Sequence, residues 1–174
     1  FEDFNVTPNT SYYYYLCAID SFKNEGISTD TLIGMSNPLL ADGWPQNVLS
    51  YCYASPNFAD IDPDPYYPGL EIVVGTRDDG AIYAWHYDGT PVSGTNSNDG
   101  RIFVAGGELW ASPAIGDINN DGYLDIVFGI RRNYDNLYAL TRIDTVWACM
   151  PGWPLDLPSR VLSAPVLGDL DENG

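Results

Sequence analysis

One short stretch governs the interpretation of this chain: Asp117-Ile-Asn-Asn-Asp-Gly-Tyr-Leu-Asp125. Oxygen-bearing side chains recur at alternate positions, a glycine turn follows, and a carboxylate closes the stretch. Alternate spacing lets a tight loop turn these side chains inward, and Gly122 permits the bend. A hard cation takes six to eight such oxygens, and calcium is the usual occupant. The predicted calcium ligands are Asp117, Asn119, Asp121, the backbone carbonyl of Tyr123, and Asp125.

The flanks of this loop indicate which kind of calcium loop it is. Residues 126–129, Ile-Val-Phe-Gly, form a short apolar run ended by glycine, which predicts a buried strand. An EF-hand requires a helix on each side and a Glu at the twelfth loop position, where this chain has Phe128. We therefore expect a loop that joins two strands of a sheet.

The surrounding pattern recurs, which indicates a repeat of about 50 residues. The turn Gly43-Trp-Pro45 returns as Gly152-Trp-Pro154. The matching strands are Leu70-Glu-Ile-Val-Val-Gly75 with Leu124-Asp-Ile-Val-Phe-Gly129, and Ala81-Ile-Tyr-Ala84 with Asn136-Leu-Tyr-Ala139. Units of several short strands without helical periodicity fit the blades of a β-propeller, which stack because one sheet cannot bury both of its faces.

Two other acidic stretches stand where the repeat places the loop at 117–125, which we call loop 2. Loop 1, residues 60–71, keeps the alternation but replaces the glycine turn with a longer Pro-Tyr-Tyr-Pro-Gly segment. The third stretch stops before a closing residue. The further candidate ligands are Asp60, Asp62, Asp64 and Glu71 in loop 1, and Asp169, Asp171 and Asn173 in the third stretch. Metal-free Asp/Asn turns are the alternative, because these side chains also cap their own backbone.

The combination Ser-Pro-x-x-Gly-Asp-x-Asn-x-Asp-Gly-x-x-Asp-Ile-Val-x-Gly, residues 112–129, resembles the FG-GAP/VCBS family of calcium-binding propeller repeats. The resemblance covers residues 39–174. It implies an all-β fold in which these residues form a partial β-propeller of about two and a half blades. It also implies Ca²⁺ as the bound ion, with the acidic loop residues as its ligands.

Residues 1–38 differ in pattern from the rest. The aromatic run Asn9–Asp20 predicts a strand, Ser21–Gly26 a turn, and Ile27–Met35 a partner strand. Alternation places Tyr12 and Tyr14 on the expected core face. The run resembles the penultimate strand of a fibronectin type III domain, with Tyr12 at that family's tyrosine-corner position. Residues 1–38 are therefore expected to be the C-terminal part of such a domain within a longer protein.

Charge and cysteine content exclude several classes. Seven basic residues against 24 acidic ones give a formal charge of −17, which argues against nucleic acid as a partner. No run of 18 apolar residues exists, so membrane insertion is not expected. The three cysteines, Cys17, Cys52 and Cys149, are neither a disulfide framework nor a zinc site, although one bridge remains open.

Catalytic groups are scarce. His86 is the only histidine and is expected to be a plain strand residue, and no Ser-His-Asp or Cys-His arrangement can be argued. Four tryptophans are candidates for stacking on sugars, although repetition favours packing for the first and last of them: Trp44, Trp110, Trp147 and Trp153.

The resemblance implies a non-catalytic, calcium-binding module of a secreted or cell-surface protein. It would act in adhesion, recognition or surface structure, with a cell-surface protein or a glycan as partner. Two alternatives remain open. The chain could be an ancillary domain of a secreted protease or glycan-degrading enzyme, or a self-associating subunit of an extracellular filament.

Overall fold

The computed structural model describes residues 11–14, 21–26, 32–35, 43–92, 99–131 and 136–169. The chain divides into two compact units, residues 1–41 and 42–174. Within the described residues there are eleven β-strands and no helix. This part of the chain therefore contains no helix that could span a membrane. The predicted all-β class is confirmed for this part of the chain.

The first unit contains an antiparallel strand pair. Strand β1, Ser11–Tyr14, pairs with β2, Leu32–Met35, so that Ser11 lies opposite Met35. The pairing agrees with the predicted hairpin, and the rest of both predicted strands lies outside the described residues. Tyr13, which alternation assigns to the outer face, is 70% exposed. The side chains of Tyr12 and Tyr14 lie outside the description, so their predicted core face stays a prediction.

The second unit contains two antiparallel sheets with the same strand order. The first sheet runs β3-β4-β5-β6, and the second runs β7-β8-β9-β10 with β11 also pairing with β9. The strands of the first sheet are Asn57–Ala59, Glu71–Gly75, Ala81–Trp85 and Arg101–Val104. Those of the second are Ala114–Gly116, Asp125–Ile130, Asn136–Ile143, Val146–Cys149 and, for β11, Leu155–Asp156.

The two sheets also share their register. Glu71 at the start of β4 lies opposite Ala59, and Asp125 at the start of β8 lies opposite Gly116. Further along, Ile72 faces Trp85 and Ile126 faces Leu140. The repeat found in the sequence is therefore a repeat of backbone pairing.

The sheets pack face to face through their central strands. Every residue of β5 and of β8 is buried. One apolar cluster joins Val73 and Ile82 of the first sheet to Phe128 and Leu140 of the second. Phe103 on β6 adds an edge-on contact to the Phe128 ring at 6.3 Å. This buried face explains the near-continuous apolar composition of the central strands.

The glycine that ends each Ile-Val-x-Gly motif makes room for the following repeat. A Cβ on Gly75 would lie 2.7 Å from Cδ2 of Leu109, and a Cβ on Gly129 would lie 2.1 Å from Cγ1 of Val161. Leu109 and Val161 occupy matching places, four positions before the prolines Pro113 and Pro165. Each repeat thus rests on the second strand of the preceding sheet.

The Gly-Trp-Pro turns have the same backbone form in both copies. Gly43 and Gly152 have φ values of 79° and 88°, and both following Trp-Pro peptide bonds are cis. In the first copy Trp44 donates its Nε1–H to the carbonyl of Tyr87 at 2.9 Å and meets Trp85 edge-on at 6.0 Å. The predicted packing role of Trp44 is confirmed by these contacts.

Substitution of Gly43 and of Gly152 by alanine should distinguish the destabilising effect of a steric clash from that of backbone strain. Both residues are left-handed, which costs an ordinary side chain about 1–2 kcal/mol. A Cβ on Gly43 would also lie 1.8 Å from the backbone oxygen of Asp88, whereas one on Gly152 would meet nothing within 4 Å. We expect Gly43→Ala to lower the free energy of unfolding, measured in urea, by clearly more than Gly152→Ala. Equal losses would contradict this packing.

Candidate metal centre

Loop 2 joins β7 to β8 and is held by hydrogen bonds from its own backbone. The carboxylate of Asp117 accepts the N–H of Asp121 at 3.2 Å and that of Gly122 at 2.8 Å. Asn119 Oδ1 accepts the same Asp121 N–H at 2.9 Å, and Asp121 Oδ1 accepts the N–H of Tyr123 at 2.9 Å. The structure therefore brings three of the predicted ligands together in one turn.

The turn is tight because two of its residues are left-handed. Asn120 has a φ of 58° and Gly122 a φ of 88°, so Gly122 provides the bend that the sequence predicts. The side chains that precede the bend are exposed. A carboxylate carries about four lone-pair sites, so oxygens that each accept one or two N–H groups keep the capacity to bind a cation.

Asp125 closes the loop and differs from its neighbours in being fully buried. Its Oδ2 accepts the N–H of Ile118 at 3.0 Å, whereas its Oδ1 is buried without a hydrogen-bond partner. Burial raises the pKa of the Asp125 carboxyl, and the charges of Asp121 and Asp117 add to the rise, while the Ile118 N–H and the Thr141 hydroxyl oppose it. A buried oxygen left without a partner is costly, and a cation is a partner that removes this cost. Loop 2 therefore fits a calcium ion.

Thr141 on β9 also contacts loop 2, and the sequence interpretation missed it. Asn119 Nδ2 lies 3.4 Å from Thr141 Oγ1 and donates to Asp121 Oδ2 at 2.9 Å. Thr141 stands two positions after the motif Asn136–Ala139, and His86 stands two positions after the matching motif Ala81–Ala84. That alignment is the signal that could have identified both residues.

Backbone N–H groups also hold the closing carboxylate of loop 1, but a side chain contacts its other oxygen. Glu71 Oε2 accepts the N–H of Ile61 at 2.8 Å and of Asp62 at 3.3 Å. Glu71 Oε1 lies 3.2 Å from Nδ1 of His86, and the two side chains are 1% and 2% exposed. Burial raises the pKa of Glu71, against the opposing effects of the Ile61 N–H and of His86. His86 is therefore a partner of the loop, and its prediction as a plain strand residue was wrong.

The remaining acidic residues of loop 1 do not converge on one point. Asp62 is buried, and its Oδ1 accepts a hydrogen bond from Nη1 of Arg142 on β9. Asp64 Oδ1 accepts the N–H of Tyr66 at 2.8 Å, and Asp60 is exposed. Asp62 and Arg142 line a cleft of about 420 Å³ next to loop 2. The acidic side chains of loop 1 are paired with other groups of the chain, so loop 1 lacks the open carboxylate oxygen that Asp125 provides in loop 2.

The third acidic stretch is described only in part. Asp169 is exposed, whereas Asp171 and Asn173 lie outside the described residues. Across residues 43–92, 99–131 and 136–169, no three His, Cys, Asp or Glu side chains converge into a metal site. A cation in loop 2 would therefore depend on the Asn119 amide and the Tyr123 carbonyl as well as on carboxylates.

Two of the candidate sugar-stacking tryptophans are used for packing. Trp147 is 4% exposed and belongs to the apolar core, so the prediction that it is an exposed platform was wrong. Trp110 has the guanidinium groups of Arg77 and Arg131 over its ring at 5.5 and 5.4 Å. Its Nε1–H donates to Glu108 Oε2 at 3.0 Å. The Trp110 ring is thus occupied by neighbouring side chains of the same chain.

The cysteines form no bridge within the described residues. Cys52 is exposed and Cys149 is half-buried, and both are free thiols. Burial raises the pKa of the Cys149 thiol, which keeps it protonated and poorly reactive near neutral pH. Cys17 lies outside the described residues, so the bridge that the sequence left open stays a prediction.

The fold and loops together define an all-β repeat protein with an acidic loop between the first and second strand of each sheet. Compared with known protein families, residues 69–128 match an FG-GAP-like repeat. The match begins at the end of loop 1 and contains all of loop 2. Neither the curated proteins nor the solved structures gave a match.

Substitution of His86 should test how far its pairing with Glu71 supports the fold. His86→Ala leaves Glu71 Oε1 buried without a partner and removes the ring that stacks on Tyr67 at 4.1 Å. Removing one member of a buried pair costs about 3–5 kcal/mol, and we expect a loss of this order in urea unfolding at neutral pH. His86→Gln keeps a donor and should lose less. Equal losses for the two variants would show that the Glu71 contact contributes little.

Proposed function

We propose that this chain is a non-catalytic calcium-binding module and that loop 2 is its calcium site. The observation that carries the proposal is Asp125 Oδ1, which is buried without a hydrogen-bond partner at the closing position of the loop. The residues that would hold the ion are Asp117, Asn119, Asp121, the carbonyl of Tyr123, and Asp125.

Calcium would act in this site as a structural clamp. Three carboxylates of loop 2 lie within one short connection, and each close pair near the surface repels by about 1–4 kcal/mol. A divalent ion turns this repulsion into attraction. Because loop 2 connects β7 to β8, binding would stabilise the connection between the first two strands of the second sheet.

We also infer that residues 39–174 form part of a β-propeller, about two and a half blades long. The common strand order, the common register and the packing of Leu109 and Val161 on the preceding sheets support this arrangement. The relation to VCBS repeats rests on the motif at residues 112–129. A fibronectin type III origin for residues 1–38 is supported by resemblance and by the antiparallel β1–β2 pair.

The proposed setting is a secreted or cell-surface protein that acts in adhesion, recognition or surface structure. FG-GAP-like repeats are typical of extracellular or surface proteins and are generally structural modules, which supports both the setting and the absence of catalysis. A cell-surface protein or a glycan is the proposed class of partner. The acidic balance of the chain favours partners other than nucleic acid.

Calcium dependence of stability tests the proposal directly. A ligand that binds only the folded chain stabilises it by about 2.7 kcal/mol when its free concentration is 100 times the dissociation constant. We therefore expect the melting temperature, measured by calorimetry at neutral pH, to rise with calcium and to fall with EDTA. An identical melt in saturating calcium and in EDTA would contradict the proposal.

Asp125→Asn should have opposite effects in the two conditions. Because burial raises the pKa of Asp125, its ionised form is unfavourable without a cation. We expect Asp125→Asn to melt no lower than the natural chain in EDTA, and lower than it in calcium. Asp156→Asn, at an exposed position of β11 opposite Asn136, is the control and should respond to calcium as the natural chain does. A calcium response of normal size in Asp125→Asn would place the ion elsewhere.

A further inference from the structure

We infer that loop 1 functions without a metal ion, because His86 and Arg142 occupy the places that a cation fills in a loop of this kind. The two side chains form a metal-free clasp that holds the connection between β3 and β4. Arg142 comes from β9, so the clasp also ties the first sheet to the second.

The first observation concerns the two closing carboxylates, Glu71 in loop 1 and Asp125 in loop 2. One oxygen of each is held by the backbone in the same way, since Glu71 Oε2 accepts the N–H of Ile61 and Asp125 Oδ2 accepts the N–H of Ile118. The other oxygen differs. In loop 2 it is buried without a hydrogen-bond partner, whereas in loop 1 it lies 3.2 Å from the His86 ring. The coordination position that loop 2 leaves open is already filled in loop 1.

The residue type at one matched position accounts for this difference between the loops. His86 follows Trp85, which faces Ile72, and in the second sheet the corresponding residue follows Leu140, which faces Ile126. The second sheet has Thr141 there. An imidazole is long enough to reach the closing carboxylate and stacks on Tyr67, which holds its ring in place. The Thr141 side chain is shorter; its hydroxyl lowers the pKa of the Asp125 carboxyl, but Asp125 Oδ1 is still buried without a hydrogen-bond partner.

The second observation concerns Asp62, the middle acidic residue of loop 1. It stands where loop 2 has Asn119, but it is 1% exposed and charged. A buried carboxylate needs an opposite charge, and the Arg142 guanidinium supplies it. A calcium ion bound beside Asp62 would meet the fixed positive charge of Arg142 at close range. Electrostatics therefore disfavours the metal in loop 1.

Two neighbouring residues of β9 thus serve the two loops. Thr141 reaches Asn119 in loop 2, and Arg142 reaches Asp62 in loop 1. Loop 1 is held by groups that are always present in the chain, while loop 2 depends on an ion from solution. Withdrawal of calcium should therefore destabilise the chain through loop 2, while the side-chain contacts that hold loop 1 do not depend on the ion.

A matched pair of variants tests the assignment by calcium stoichiometry. Asp60 and Asp117 are the leading residues of loops 1 and 2, and both are exposed. Calcium alone is titrated calorimetrically into the full chain. We expect Asp60→Asn to bind the same number of ions as the natural chain, with an affinity within about twofold, and Asp117→Asn to bind one fewer.

The outcomes separate the two proposals. A loss of one bound ion in Asp60→Asn, or an affinity at least about tenfold weaker, would overturn the metal-free assignment of loop 1. If neither variant changes the stoichiometry, the calcium site in loop 2 fails, while the absence of a metal from loop 1 is supported.

Arg142 is tested by the condition dependence of its effect. We expect Arg142→Gln to lower the melting temperature equally in calcium and in EDTA, because the Asp62 pair involves no metal. Asp117→Asn should lower it in calcium alone. The double variant Asp62→Asn/Arg142→Gln should lose less than the sum of the single losses, since it leaves no unpaired buried charge. An effect of Arg142→Gln confined to calcium solutions, or simple additivity, would overturn the clasp.

Discussion

The buried carboxylate at the first residue of each second strand is the constraint on which both sheets depend. Glu71 and Asp125 both lie out of water, where an ionised group must find compensating partners. Each is held on one side by the backbone of the loop before it, which fixes the loop to the strand. The second oxygen of each carboxylate also needs a partner. In the first sheet His86 is that partner, and in the second sheet the oxygen has no hydrogen-bond partner.

The same constraint explains why the repeat tolerates different loop sequences. The backbone hydrogen bond to the closing carboxylate is present in both copies, although loop 1 is longer and lacks the glycine turn. What varies is the source of positive charge or hydrogen-bond donation. In loop 1 it comes from His86, directly after β5, and from Arg142 on β9, and in loop 2 it would come from an ion. The fold of the repeat is therefore compatible with more than one way of satisfying the closing carboxylate.

Packing between repeats provides the second level of organisation. The glycine near the end of each second strand admits a side chain from the repeat that follows, as Leu109 on Gly75 shows. Apolar residues of both sheets then form one core between them. A sheet in this arrangement has a buried central strand and depends on its neighbours for that burial. Stability is therefore shared across the repeats.

Local patterns in the sequence were sufficient to predict the second and third strands of each sheet and the acidic turn of loop 2. Short-range features such as alternation, glycine bends and repeated motifs determine these, because they act over a few neighbouring residues. The partners of the acidic residues were decided by tertiary structure alone. Arg142 lies 80 positions from Asp62, and His86 lies 15 from Glu71, so only the register of the strands and the packing of the two sheets bring them together. Burial, which is a property of the whole fold, then determines which carboxylates require a partner at all.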